Sequence, residues 1–232
     1  MKKKILFWGI GFLLLAVLFA GAFKVTKLRT FQFFGGLTYQ VETENKVIAL
    51  TFDDGPTKNV DQILPILDKY KAKATFFLIG NDIEKQPEEA RKLVEAGHQI
   101  GNHTYSHERM VLKSPSFIKA EIEKTDELIK KSGYKSEIDF RPPFGKKFLG
   151  LPYYLNKHNR ETIMWSLEPD TYYSSADEKV NYVVDNIKPG SIILLHPMYD
   201  QTGEEIRVIE DILRKLTDDG YTFVTVDGLQ EL

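Results

Sequence analysis

Cysteine is absent from the 232 residues, which excludes disulfides, thiolate metal sites and cysteine nucleophiles and leaves histidine and carboxylates as the ligands for any metal. Histidine is itself scarce, at five. Acid is missing from the first 29 residues, which hold six basic ones (Lys2, Lys3, Lys4, Lys24, Lys27 and Arg29). A formal net charge of −2 therefore leaves −8 on the remainder, and such a body repels the phosphates of nucleic acid. Repeats and low-complexity tracts are lacking too. The composition, 42% hydrophobic and 28% charged, is that of a globular chain and not of a disordered one.

One long apolar run stands out. Residues 2–23, "KKKILFWGIGFLLLAVLFAGAF", pass from a basic cluster into uncharged, mostly apolar residues, near the ~20 needed to span a bilayer as a helix. The run predicts an uncleaved membrane anchor within residues 1–29. The lysines before it place the N-terminus in the cytoplasm and the body outside. A signal peptide is the alternative, with Ala20-Gly21-Ala22 as its small-residue exit and secretion after cleavage near Ala22. Residues 30–45 read as a linker or cap, its "FQFFGG" aromatics placed to cover the fold or lie at the membrane interface.

From residue 46 to 232 apolar runs alternate with amphipathic segments. Strands are predicted at 46–52, 74–79, 98–102, 137–141, 162–166, 191–196 and 222–226. Between them, Pro87 opens a helix that Gly97 closes, and Ser114 caps one that begins with Pro115 and ends at Gly133. Ile206, Ile209, Leu213 and Leu216 recur at helical spacing before Gly220. Pro65 predicts a kink or a late helix start in "VDQILPILDKY". Alternating strand and helix give an α/β fold with a parallel sheet, and seven units suit a TIM-like barrel, whose chemistry gathers at the C-terminal ends of the strands.

The residues at those ends form a constellation. Asp53 and Asp54 follow the first strand, His103 and His107 the third, Arg141 the fourth, Glu168 and Asp170 the fifth, and His196 the sixth. Each alone is more often a cap or a satisfied core group, but together they surround one mouth. "NHTYSH" puts His103 and His107 four apart, which on a helical turn shares one face. With one carboxylate from the first strand they make a two-His, one-Asp set with open positions. Zn²⁺ is the first choice, and Co²⁺, Ni²⁺ or Fe²⁺ fit the same ligands. His98 and His158 read as structural and surface residues.

"TFDDGP", "HTYSH", "RPPFG", "WSLEPD" and "LLH", in this order, resemble the motifs of the polysaccharide deacetylases of the NodB-homology, carbohydrate esterase 4 family, over residues 46–232. The resemblance implies a distorted (β/α)7 barrel that removes acetyl groups from N-acetylhexosamine polymers with one divalent metal. It implies Asp53 as base, Asp54, His103 and His107 as metal ligands, Arg141 orienting Asp53, the Phe144 N–H at the oxyanion, and His196 as acid. Thr171 and Tyr172 stand where the family has an Asp-Trp pair, and Glu168 where it has an Asp. Asp170 is adjacent and could orient His196 with a shifted loop, and the alternatives are Glu168 or no partner at all. Leu194 is expected to wall the acetyl pocket, and Tyr105, Phe144, Trp165, Tyr172 and Tyr199 to line a groove for a glycan strand. The expected substrate is N-acetylglucosamine of peptidoglycan or chitin-like oligomers, handled by a monomer. The alternatives are an O-acetyl esterase of xylan type and a catalytically impaired metal-containing glycan-binding module.

Overall fold

The computed structural model describes residues 17 and 19–232. The predicted membrane anchor lies for the most part outside the described residues. Among the described residues no helix is long and apolar enough to cross a membrane.

Among the described residues seven strands occur: β1 (Leu37–Thr38), β2 (Val47–Asp53), β3 (Thr75–Leu78), β4 (Gln99–Asn102), β5 (Thr162–Ile163), β6 (Ile192–Leu195) and β7 (Thr222–Val224). All named strand pairings are parallel: β2 pairs with β3, β6 and β7, β3 with β4, and β1 with β5. Parallel bridges Asn102–Phe140, Phe140–Thr162 and Leu167–Ile193 carry the pairing from β4 past β5 to β6 and so back to β2. Two expectations change. The segment 137–141 forms only isolated bridges, both at Phe140, instead of a strand, and 162–166 keeps only two strand residues. β1, inside the predicted linker, pairs with β5 and joins the fold.

Helices Val60–Lys69, Pro87–Glu95, Pro115–Lys131, Ala176–Asn186 and Glu204–Asp218 follow their strands. Ser114 caps as expected, its Oγ accepting from the Phe117 N–H at 3.2 Å. Pro65 neither delays nor ends its helix, which runs from Val60 through it.

Side-chain parity explains how the site is aimed. Alternate residues of a strand face opposite ways. Ile48, Leu50 and Phe52 of β2, Phe76 and Leu78 of β3, and Ile193 and Leu195 of β6 join the large core under the helices. Ala49, Phe77, Ile192 and Leu194 face the ring interior, with Ile163, Met164 and Trp165. Continuing the inward parity one step past each run reaches Asp53 on β2 and His196 after β6. The interior is full, since a Cβ at Gly101 would lie 2.3 Å from the Phe77 ring.

At the opposite end of the ring Asp139 and Asp227 share the amide of Gln99, which donates to Asp139 at 3.0 Å. Burial first, then the charges of Asp227 and Glu161, push Asp139 up to about 7. Its unfolded value is near 3.9, so between about pH 4 and 7 the folded state holds the extra proton and stability falls as pH rises. Asp139→Asn should flatten that slope and raise the Tm at pH 8. Melting curves at pH 5 and 8 check it, and an unchanged slope would refute it.

Candidate active site

The adjacent acids part company because their backbones differ. Asp53 ends β2 in extended conformation, while Asp54 sits at φ 75°, a left-handed geometry that Asp tolerates better than most residues. Asp53 is thereby sent to Arg141 and Asp54 to the histidines.

Arg141 is fully buried and every side of its guanidinium is committed. Nη1 donates to Asp53 Oδ1 at 2.7 Å and Thr51 Oγ1 at 2.8 Å. Nη2 and Nε donate to the Met164 and Ile163 carbonyls. The plane lies 4.0 Å from the Phe77 ring centroid and 5.5 Å from that of Trp165. Burial raises the Asp53 pKa, but Arg141 first, then His103 and His196, outweigh it and hold the carboxyl below its ordinary value. Asp53 is a buried carboxylate kept ionised.

His103 and His107 do not share a helical turn. Thr104 at φ 67° and His107 at φ 58° are incompatible with a helix, and the pair converges from a loop after β4. That loop is tied down by Glu121, which accepts from the Ser106 N–H at 2.8 Å and its hydroxyl at 2.9 Å, and by Thr104, which accepts from the His107 N–H. His103 Nδ1 donates to the Arg141 carbonyl at 2.8 Å, which leaves Nε2 bare. Asp54 Oδ1 lies 3.9 Å from His103 Nε2 and 3.4 Å from His107 Nε2. It is buried with no hydrogen-bond partner. Ligand atoms about 2.0–2.2 Å from one tetrahedral cation would be roughly 3.3–3.6 Å apart. The three donors gather within 4.8 Å of one another, and burial first, then His103, lowers the His107 pKa, favouring the neutral, ligating imidazole. A divalent ion fits this set.

His196 follows β6. Its Nδ1 meets Asp170 Oδ2 at 2.9 Å and its backbone N–H donates to the same oxygen at 3.1 Å. Burial lowers its pKa, but the Asp170 hydrogen bond and the charges of Asp53, Asp170 and Asp54 outweigh this and raise it to about 9. Glu168 is not its partner, because Glu168 accepts from Trp165 Nε1 at 3.0 Å. Behind Asp170 stands a cation that the sequence did not reveal. Lys179, on the helix Ala176–Asn186, reaches Asp170 Oδ1 at 2.9 Å and also pairs with Glu205.

The expected groove is only partly there. Phe144, at φ 59°, is 54% exposed and its ring lies 4.7 Å from that of His107. Tyr199 is exposed, its hydroxyl donating to Asp82. Tyr172 is exposed and clusters with Tyr173 and Tyr182. Trp165, by contrast, is 6% exposed. It belongs to the ring interior, packed in one cluster with Phe77, Met164 and Leu194, with Arg141 and Arg29 near its ring system. Tyr105 turns outward, its hydroxyl on Glu84 and its ring 3.6 Å from Lys124 Nζ. Leu194 is buried in the interior cluster. His98 lies apart, accepting from the Ala74 N–H, and His158 stacks on Tyr154.

A family model described as polysaccharide deacetylase matches residues 40–162. A peptidoglycan-N-acetylglucosamine deacetylase of Bacillus cereus is 34% identical over 199 residues, covering 84% of this chain and 93% of the relative. A peptidoglycan-N-acetylmuramic acid deacetylase of Bacillus subtilis is 34% identical over 196 residues and 83% of this chain, and the match spans only 40% of that longer protein. The solved structure of a CE4-family pseudoenzyme from Bacillus anthracis is similar with a TM-score of 0.74 at 27% identity, over 82% of this chain and 67% of that one.

Proposed function

We propose, from the premise that this chain belongs to the polysaccharide deacetylase family, that it is a metal-dependent amide hydrolase on a distorted (β/α)7 barrel. It removes acetyl groups from N-acetylglucosamine of peptidoglycan or of chitin-like oligomers, releasing acetate. The observation that carries this reading is Asp54 Oδ1, buried without a partner and facing the Nε2 atoms of His103 and His107, beside a second carboxylate pinned by Arg141.

In the mechanism, Asp54, His103 and His107 would hold a divalent metal, with Zn²⁺ the first choice. Bound there, such an ion would supply Lewis-acid polarisation of the acetyl carbonyl and of the attacking water. Asp53 accepts the proton of that water, its lone pairs kept available by Arg141. The Phe144 N–H stabilises negative charge developing on the carbonyl oxygen. His196, charged through Asp170, donates a proton to the departing amine. Phe144, Tyr172 and Tyr199 present faces for sugar rings. The chain acts as a monomer, with residues 1–29 anchoring it in the membrane and the body outside the cytoplasm. Recovery of the full-length chain in the soluble cytoplasmic fraction would overturn that placement.

Incubating the detergent-solubilised full-length chain with peptidoglycan, chitooligosaccharides and acetylxylan, and measuring acetate, tests the function. Release from the first two supports it. Release from acetylxylan alone assigns the chain to O-acetyl esters instead. A second reading, an impaired glycan-binding module, is favoured by Thr171 and Tyr172 at the family's Asp-Trp positions and by the pseudoenzyme relative. The bond from Asp170 to His196 speaks against it.

The acid role has its own test. With the His196 pKa raised to about 9, the imidazolium is present below that pH and is lost as pH rises through it. The alkaline limb of kcat/KM should fall there. Asp170→Asn removes a nearby anion and should move the limb to lower pH. A profile over pH 6–10 that is superimposable on wild type would rule Asp170 out.

A further inference from the structure

Away from the catalytic cluster, one face carries apolar side chains that no described residue covers. Of the fifteen large apolar or aromatic side chains exposed among the described residues, nine lie in residues 17–34 and 149–153. Ring contacts tie four of them together and to the body: Phe31 meets Phe33 at 5.3 Å, Phe33 meets the half-buried Phe148 at 5.7 Å and Phe34 meets Tyr153 at 5.6 Å between ring centroids. The segment that bears them is held to the body. Buried Lys147 donates Nζ to the Leu28 carbonyl at 2.6 Å and its backbone N–H to the Thr26 carbonyl at 3.0 Å, and β1 follows directly into its pairing with β5. The exposed aromatics are fixed in place.

The same face is basic. No acid occurs before Glu42, while Lys24, Lys27 and Arg29 precede the exposed phenylalanines and Lys27 and Arg109 both act on Lys146. Lys27 Nζ lies 4.3 Å from the Phe23 ring centroid. The Lys146 ammonium is lowered by burial and then by the charges of Arg109 and Lys27, with no carboxylate opposing them. Cations are crowded here around exposed aromatic rings.

We propose that this face docks on the anionic headgroup layer of a lipid bilayer and lays the body along the membrane surface. The proposal rests on the anchored reading above and extends it. Two features select a lipid occupant. The apolar run enters the face at Phe23, so any bilayer that holds the run lies against it. Basic side chains ringing Phe residues match the interfacial zone, where aromatic rings sit at headgroup level and lysines meet anionic lipid. The consequence reaches the site. Arg109 lies 5.1 Å from the Phe144 ring centroid and Phe144 lies on His107, so the catalytic mouth opens at the margin of the docked face. The glycan it takes is the strand lying along the bilayer.

The cysteine-free chain makes the test direct. A single Leu149→Cys on the face, or Asp218→Cys on the helix Glu204–Asp218 as control, takes a nitroxide label in the full-length protein. The chains are placed singly in nanodiscs of phosphatidylcholine with or without phosphatidylglycerol. Expected is a several-fold higher ratio of oxygen to aqueous-nickel collision at position 149 than at 218 when phosphatidylglycerol is present. That ratio should fall when Lys24, Lys27 and Lys146 are changed together to Gln. A label at 149 as open to nickel as that at 218 in both lipids overturns the proposal, and so does shielding indifferent to phosphatidylglycerol or caused by a second copy of the chain. Failure of the anchor is a separate result. A chain that washes from vesicles in alkaline carbonate sinks the anchored reading, and the same labels read on phosphatidylglycerol vesicles then decide the face alone.

Discussion

Asp53→Asn should lower kcat by roughly two to four orders of magnitude, the usual worth of a positioned base, while leaving the metal content of the protein unchanged. The substitution keeps the shape and removes the lone pair that takes the proton. Its reach is limited by geometry. Asp53 Oδ1 is bound to Arg141, and Oδ2 stands 3.5 Å from His103 Nε2, whereas the bare, partnerless oxygen belongs to Asp54. Asparagine also leaves a fully buried guanidinium without its counter-charge. A truncated buried pair costs about 3–5 kcal/mol, so the melting temperature should fall together with the activity. Metal analysis separates the two carboxylates. If Asp53→Asn lost the metal and Asp54→Asn kept it, their roles would be reversed.

The chemistry of this chain was more legible than its geometry, and the difference has physical causes. Asp53 and His196 could be placed because each continues the inward parity of an apolar run, which is visible in sequence, while Arg141 follows the alternating "EIDF". Asp54 could be listed as a ligand, but not its left-handed turn, which φ alone decides. The His103–His107 spacing pointed to two residues that do converge, but by the wrong route. A four-residue separation also arises from a loop with two left-handed residues, and what fixes that loop is Glu121, fifteen residues away from Ser106 on a helix. Lys179 and Glu205 were invisible for the same reason. A cation on a helix face signals nothing until the fold sets it against Asp170. Trp165 was misplaced because an aromatic near a motif fits a groove wall and a core equally well, and here the interior cluster holds it. Within residues 30–45, read as a linker or cap, β1 pairs with β5, and its two residues carry no periodicity to detect.

Removal of the metal should have the other large effect. Acetate release should cease on chelation and return with Zn²⁺ or Co²⁺, and His103→Ala should lose both metal and activity beyond rescue. Among the described residues no other His/Asp/Glu set gathers as Asp54, His103 and His107 do. His103 is the most sensitive of the three, because its ring is aimed by the Arg141 carbonyl at 2.8 Å. A hydrogen bond on the far nitrogen fixes the tautomer that leaves Nε2 free to ligate. His103→Ala therefore removes a ligand whose orientation was prepared, while the ring interior of Phe77, Met164 and Leu194 is untouched and the fold should survive. His107, from a half-exposed loop position, should be the milder loss. Chelation should also lower the melting temperature of the wild type, since an ion bound only by the folded state stabilises it by linkage. It should leave that of His103→Ala unmoved. Full acetate release by metal-free protein would mean that the reaction needs no metal, and a chelation shift that persists in His103→Ala would mean that the ion sits elsewhere.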